Sequence, residues 1–214
     1  SKETVDRTTT TIMGVSTQLA NEPRALYVQL PEVWGPIDPL SDFRRGFRTF
    51  VRTRVQQGDE VAIIEPNPWR AEALQELWAG MPEAHILNVD VGMGESQTRE
   101  FFWSESEELP RHYFSPIVED VHHRFPGQDV DMRQVAVEFL GDLLSKLGSG
   151  ACRTTVSIDL RRGMPNDLEI VEWLSNHARE VVLTWSSESS LEAVASDHQL
   201  RQAGYIPAGR AWGE

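Results

Sequence analysis

Residues 61–69 read Val-Ala-Ile-Ile-Glu-Pro-Asn-Pro-Trp, and this stretch constrains the fold more than any other. Four apolar residues without a polar break suit a strand buried on both faces of a parallel sheet. The run ends on Glu65, and Pro66 and Pro68 then prevent the strand from continuing. Asn67-Pro68 opens a helical pattern in which Ala71, Leu74, Gln75 and Trp78 share a face. An acid at the carboxyl end of an interior strand is where open α/β sheets hold ribose hydroxyls. The same residue also fits an ordinary strand-to-helix turn, and the stretch alone leaves both readings open.

The flanking sequence repeats the strand-and-helix rhythm. Residues 24–30 (Arg-Ala-Leu-Tyr-Val-Gln-Leu) form the first clear strand, followed by a stiff loop with Pro31, Pro36 and Pro39. Ser41 or Asp42 caps the next helix, whose apolar positions Phe43, Phe47, Phe50, Val51 and Val55 recur at helical spacing. Its other face carries Arg44, Arg45, Arg48, Arg52 and Arg54, a solvated basic stripe. After the helix over 69–79 come apolar runs at 84–91 and 98–103, and later strands at 134–139, 154–160, 180–185 and 204–206. Helices are expected over 142–147, 167–177 and 191–202. Such alternation with short joints predicts right-handed crossovers and a doubly wound, mostly parallel central sheet with helices on both faces.

Two segments fall outside this rhythm. Residues 1–22 read as a polar N-terminal arm, in which 8–15 could add an edge strand; residues 23–214 then form a single α/β domain. Residues 104–132 are acidic at first, hold three prolines and interrupt the alternation. An insertion of this length in a compact domain is expected to be a lid, a substrate-binding segment or a protein-partner surface.

Composition narrows the function classes. With 33 acids against 20 bases, the formal net charge of -13 opposes nucleic acid and anionic lipid as main partners. No apolar run approaches the roughly 18–20 residues of a membrane span. The single cysteine, Cys152, excludes an internal disulfide. A soluble protein of a reducing compartment, cytoplasm or organelle interior, is therefore expected; Ser1 is also compatible with removal of a leader. Glu119, His122 and His123 stand at i, i+3 and i+4, a spacing that favours a solvated helix face over a metal site, and no metal ligand is assigned. No Gly-rich phosphate loop or nucleophile elbow is present.

The order of motifs resembles the class I S-adenosylmethionine-dependent methyltransferases, and within them the FkbM family. The resemblance rests on Glu65-Pro66-Asn67-Pro68, on Asn88-Val89-Asp90-Val91-Gly92, and on Phe101-Phe102. It continues through Leu140-Gly141-Asp142-Leu143-Leu144, Ile158-Asp159 and the Leu-x-x-x-Gly-Tyr of residues 200–205, covering roughly residues 25–206. It implies a Rossmann-like fold, S-adenosylmethionine as cofactor and a small-molecule or sugar hydroxyl as methyl acceptor. Glu65 would then bind the cofactor's ribose, Asn88 or Asp90 would lie near its adenine edge, and Asp159 would be the catalytic base or acceptor contact.

The chain departs from that family at two places. Where the family's first strand runs into Asp-x-Gly-Ala-Asn-x-Gly, this sequence has Gln29-Leu30-Pro31-Glu32-Val33-Trp34-Gly35. Gln29 takes the position of the acid in the cofactor-binding loop, and Pro31 that of the first glycine. Pro31 fixes its own φ and has no N–H to offer a ligand. Where the family reads Lys-Ile-Asp-Val-Glu-Gly-Ala-Glu, this chain has Ser157-Ile158-Asp159-Leu160-Arg161-Arg162-Gly163-Met164. The expected function is a divergent member that has weakened or lost S-adenosylmethionine binding and serves as a scaffold or subunit of a larger assembly. The alternative is an active O-methyltransferase.

Overall fold

The computed structural model describes residues 9–14, 25–31, 59–94, 97–104, 114–147, 153–159, 167–178, 180–185 and 190–209. The helix expected after Ser41, the loop residues Trp34, Arg161 and Gly163, and most of the N-terminal arm lie outside them.

Five parallel strands form the centre of the main sheet: β2 (Ala25–Gln29), β3 (Glu60–Ile64), β4 (Ala84–Leu87), β9 (Arg153–Asp159) and β10 (Glu180–Trp185). They lie side by side as β10-β9-β2-β3-β4. Taken in chain order, that arrangement is 3-2-1-4-5, the order of a doubly wound sheet. The chain therefore has the expected α/β, Rossmann-like architecture. The strands over 24–30, 61–65 and 154–160 are neighbours, as their apolar runs predict. β3 is an interior strand, one place from the β4 edge.

Beyond β10 the sheet is antiparallel. β1 (Thr9–Gly14) pairs with β10 on one side and with β11 (Ile206–Gly209) on the other. The strand from the N-terminal arm is thus inserted between two others instead of lying at the edge. β11 carries Pro207 at the outer edge, where a missing ladder N–H is tolerated.

Strand alternation divides the core into two layers. Leu26, Val28, Ala62, Ile64, Val156 and Ile158 face one side. They pack with α3 (Leu140–Leu147), α4 (Asp167–His177) and α5 (Ser190–Gln202) through Leu140, Leu143, Ile170, Leu174 and Leu200. Tyr27, Val61 and Ile63 face the other side, against Trp78 and Leu74 of α1 (Pro68–Trp78). Helices therefore cover both faces.

The 84–91 run does not form one strand. It breaks at Asn88, and β5 (Asp90–Gly92) turns away into a second sheet ordered β5-β8-β6-β7, with β6 at Gln97–Trp103, β7 at Phe114–Ser115 and β8 at Asp131–Phe139. β6 runs antiparallel to β8, so 98–103 is not a further parallel strand. Within the 104–132 insertion, β7 and the start of β8 belong to this second sheet, and α2 (Val118–Arg124) packs against β6 and β7. No described helix is long and apolar enough to cross a membrane.

The Leu-x-x-x-Gly-Tyr segment has a local physical reason. Tyr205 N–H donates to Leu200 C=O and Gly204 N–H to Arg201 C=O, the paired bonds of a Schellman C-cap. Gly204 sits at φ 92°, a conformation glycine adopts without penalty. The Tyr205 side chain then reaches back to the end of α4, where its hydroxyl donates to the carbonyls of Leu174, at 3.2 Å, and Ala178.

Burial raises the Tyr205 phenol from its usual 10.0 to about 12. The unfolded chain therefore releases this proton first, and the native state loses stability as pH climbs from about 10 to 12. The expected loss is about 2–3 kcal/mol, from a shift of about two units. Tyr205→Phe should lower stability at pH 7 by about 1 kcal/mol. It should also flatten this part of the alkaline limb, as read from urea unfolding at pH 9–11.5.

Candidate functional site

In a doubly wound sheet, ligands bind outside the carboxyl ends of the strands at the point where the order reverses. Here that point lies between β2 and β9. Gln29 is in register with Ile63 of β3 and Ser157 of β9. Two residues further along each strand stand Pro31, Glu65 and Asp159, so these three occupy one row across β9, β2 and β3. Leu30 N–H donates to Ser157 C=O at 2.9 Å, holding β2 and β9 together up to that row. Asp159 pairs in register with Thr184 of β10. Sequence and register therefore bring Glu65 and Asp159 to either side of the switch point.

Glu65 is buried, and its carboxylate is held within the chain. Oε2 lies 2.7 Å from Arg70 Nη2, and Oε1 accepts from Asn67 N–H at 2.9 Å. Asn67 is the N-cap of α1, its Oδ1 accepting from the N–H groups of Trp69 and Arg70, with Pro68 in the first helical position. The Glu-Pro-Asn-Pro stretch thus ends a strand, caps a helix and pairs a buried acid with a buried base. Arg70 is a cation in the first turn, where the helix dipole disfavours it, so it requires an acid nearby. That conflict is legible in the sequence, and it points to the Glu65 partner that strand-end reasoning missed.

The other cofactor candidates also have internal contacts. Gln29 is buried on the Tyr27 side of the sheet; its Oε1 accepts from Tyr27 Oη at 3.1 Å, and its Nε2 donates to Leu30 C=O at 3.2 Å. Asn88 donates to the carbonyls of Glu65, at 2.9 Å, and Pro66, at 3.1 Å, tying the end of β4 to the β3–α1 turn. Asp90, fully buried, accepts from Arg99 of β6 and so joins the two ends of the β5–β6 connection. The structure brings Glu65 and Asn88 together at the rim. It sets Asp90 apart, on the second sheet.

A pocket of about 420 Å³ lies beside that Asp90–Arg99 pair, bounded by Gly92, Met93, Gln97, Thr98, Arg99 and Glu169 among others. None of the five candidate residues lines it. Among the described residues, no three His, Cys, Asp or Glu side chains converge as metal ligands. Glu119, His122 and His123 are exposed on α2.

Aromatic rings adjoin the rim. Trp69, in the first turn of α1, meets Trp103 edge-on at 4.8 Å and Phe114 at 6.0 Å; Phe114 stacks on Phe101 at 4.8 Å. The second sheet is thereby packed against the start of α1, one turn from Glu65.

A scan against family models finds no match, and searches of curated proteins and of solved structures find no significant relative.

Proposed function

We propose that this chain is a methyltransferase-like scaffold, a divergent relative of the FkbM type that serves as a subunit of a larger assembly and binds S-adenosylmethionine weakly or not at all. The observation that carries this reading is the Glu65 carboxylate, held by Arg70 and the Asn67 N–H. A ribose diol would have to compete with a buried guanidinium for it. Two further features support the reading. Gln29 bonds to Tyr27, and Pro31, which has no N–H, is buried at the switch point where a glycine turn would approach the cofactor. The 104–132 insertion, whose Phe114 meets Trp69 at the start of α1, is the segment we assign to a protein partner.

The second reading is an O-methyltransferase acting on a small-molecule or sugar hydroxyl, favoured by the row that sets Asp159 and Glu65 on either side of Pro31. In that case S-adenosylmethionine would supply the methyl group to the acceptor oxygen, and Asp159 would take the hydroxyl proton. S-adenosylhomocysteine and the methyl ether are the products.

Thermal unfolding with S-adenosylhomocysteine separates the two readings. A ligand at 100 times its Kd stabilises the fold by about 2.7 kcal/mol. The scaffold reading expects no rise in Tm at millimolar ligand, whereas the enzyme reading expects a rise that grows with concentration.

A further inference from the structure

We infer that the pocket between the second sheet and the start of α4 binds a small ω-amino acid, a zwitterion whose carboxylate and ammonium stand at opposite ends of a short methylene chain. Its volume, about 420 Å³, is that of a small-molecule site. The β5–β6 connection supplies Met93, Gln97, Thr98 and Arg99 to the lining, and a different element, the first turn of α4, supplies Glu169. Val137 of β8, itself buried, adds apolar surface. A Cβ on Gly92 would come within 2.8 Å of Val137 Cγ1, so β5 is pressed directly against β8 on this side.

The two charged side chains of the lining are in different states. Arg99 is held in place, because its Nη1 donates to the fully buried Asp90. That bond uses one nitrogen, and the Nε–Nη2 edge keeps two parallel donors, the fork that a carboxylate accepts. Glu169 is exposed, and among the described residues no hydrogen bond or ion pair engages it. The helix dipole suits an acid in a first turn, where Asp167 also stands, but it supplies no discrete cation to Glu169. A purely anionic ligand would meet Glu169 as a like charge, and a purely cationic one would leave the Arg99 edge unused. A zwitterion satisfies both. Since the two charges come from β6 and α4, its ends must be separated, and Met93 and Val137 offer apolar contact to the methylenes between them. The inference does not depend on whether S-adenosylmethionine binds.

Saturation-transfer NMR on the full chain tests it, with γ-aminobutyrate, δ-aminovalerate and ε-aminocaproate as probes. At least one should bind saturably. Its α-amino isomer, and the simple amine and carboxylate of the same length, should each bind about tenfold more weakly or worse, from loss of one charged contact. Glu169→Gln should fold like the native chain and weaken the probe by about tenfold. Arg99→Lys keeps a cation for Asp90 but lacks the fork, and it should weaken the probe as well. No saturable binding by any of the three probes would overturn the inference. So would an amine or carboxylate that binds as well as the zwitterion, or probe binding indifferent to Glu169→Gln. Should Arg99→Lys fail to fold, Glu169→Gln and the singly charged analogues decide the matter.

Discussion

Glu65→Ala should lower the stability of the folded chain by about 3–5 kcal/mol, the usual result of leaving one member of a buried ion pair uncompensated. Arg70 is buried beside it, on the first turn of α1, and the helix dipole gives a cation there no support. The substitution also removes the acceptor for Asn67 N–H at the N-cap. Glu65→Gln retains that acceptor and should cost less than the alanine variant. Arg70→Ala should cost as much as Glu65→Ala, and the double variant should cost clearly less than the sum of the two. Urea unfolding of the four proteins measures this coupling. A cost below about 1 kcal/mol for Glu65→Ala, the level of an exposed pair, would show that the acid is not held as described.

The second large effect is expected at Arg99. Asp90 is fully buried and Arg99 is 27% exposed, so the two partners are not equivalent. Arg99→Ala leaves a buried carboxylate without its guanidinium and should destabilise by about 2–4 kcal/mol. Asp90→Asn leaves an arginine that water can reach and should cost about half as much or less. The order of the two variants in urea midpoint carries the test; the reverse order would contradict the assigned geometry.

The fold was legible wherever burial dictates residue type. Val61–Ile64 is apolar at every position because both faces of β3 are covered, and this placed it inside a parallel sheet. Asn67-Pro68 identified the start of α1 because capping depends on those side chains alone. The second sheet was not legible. Gln97–Glu100 is polar on a half-exposed strand, and such a run states neither its partner nor its direction. The bend at Asn88 was missed for a similar reason: its amide bonds the carbonyls of Glu65 and Pro66, more than twenty residues back in the chain. β1 reads as a strand from its β-branched residues, yet its place between β10 and β11 depends on long-range pairing. At the site, the row formed by Pro31, Glu65 and Asp159 follows from strand ends that the sequence marks. The contacts of Gln29 with Tyr27 and of Asp90 with Arg99 depend on packing that it does not.

Calorimetric titration of the wild-type chain with S-adenosylhomocysteine tests the central claim most directly, because it asks whether the switch point accepts the ligand or keeps its own contacts. The expected result is no saturable heat up to millimolar ligand, consistent with Glu65 held by Arg70 and Pro31 lacking a donor. Each lost hydrogen bond to a charged ligand is worth about 1.5–3 kcal/mol, so one or two such losses weaken binding roughly ten- to several-thousand-fold. A saturable isotherm with a micromolar Kd, abolished in a folded Glu65→Gln variant, would contradict the account and return the chain to the methyltransferases.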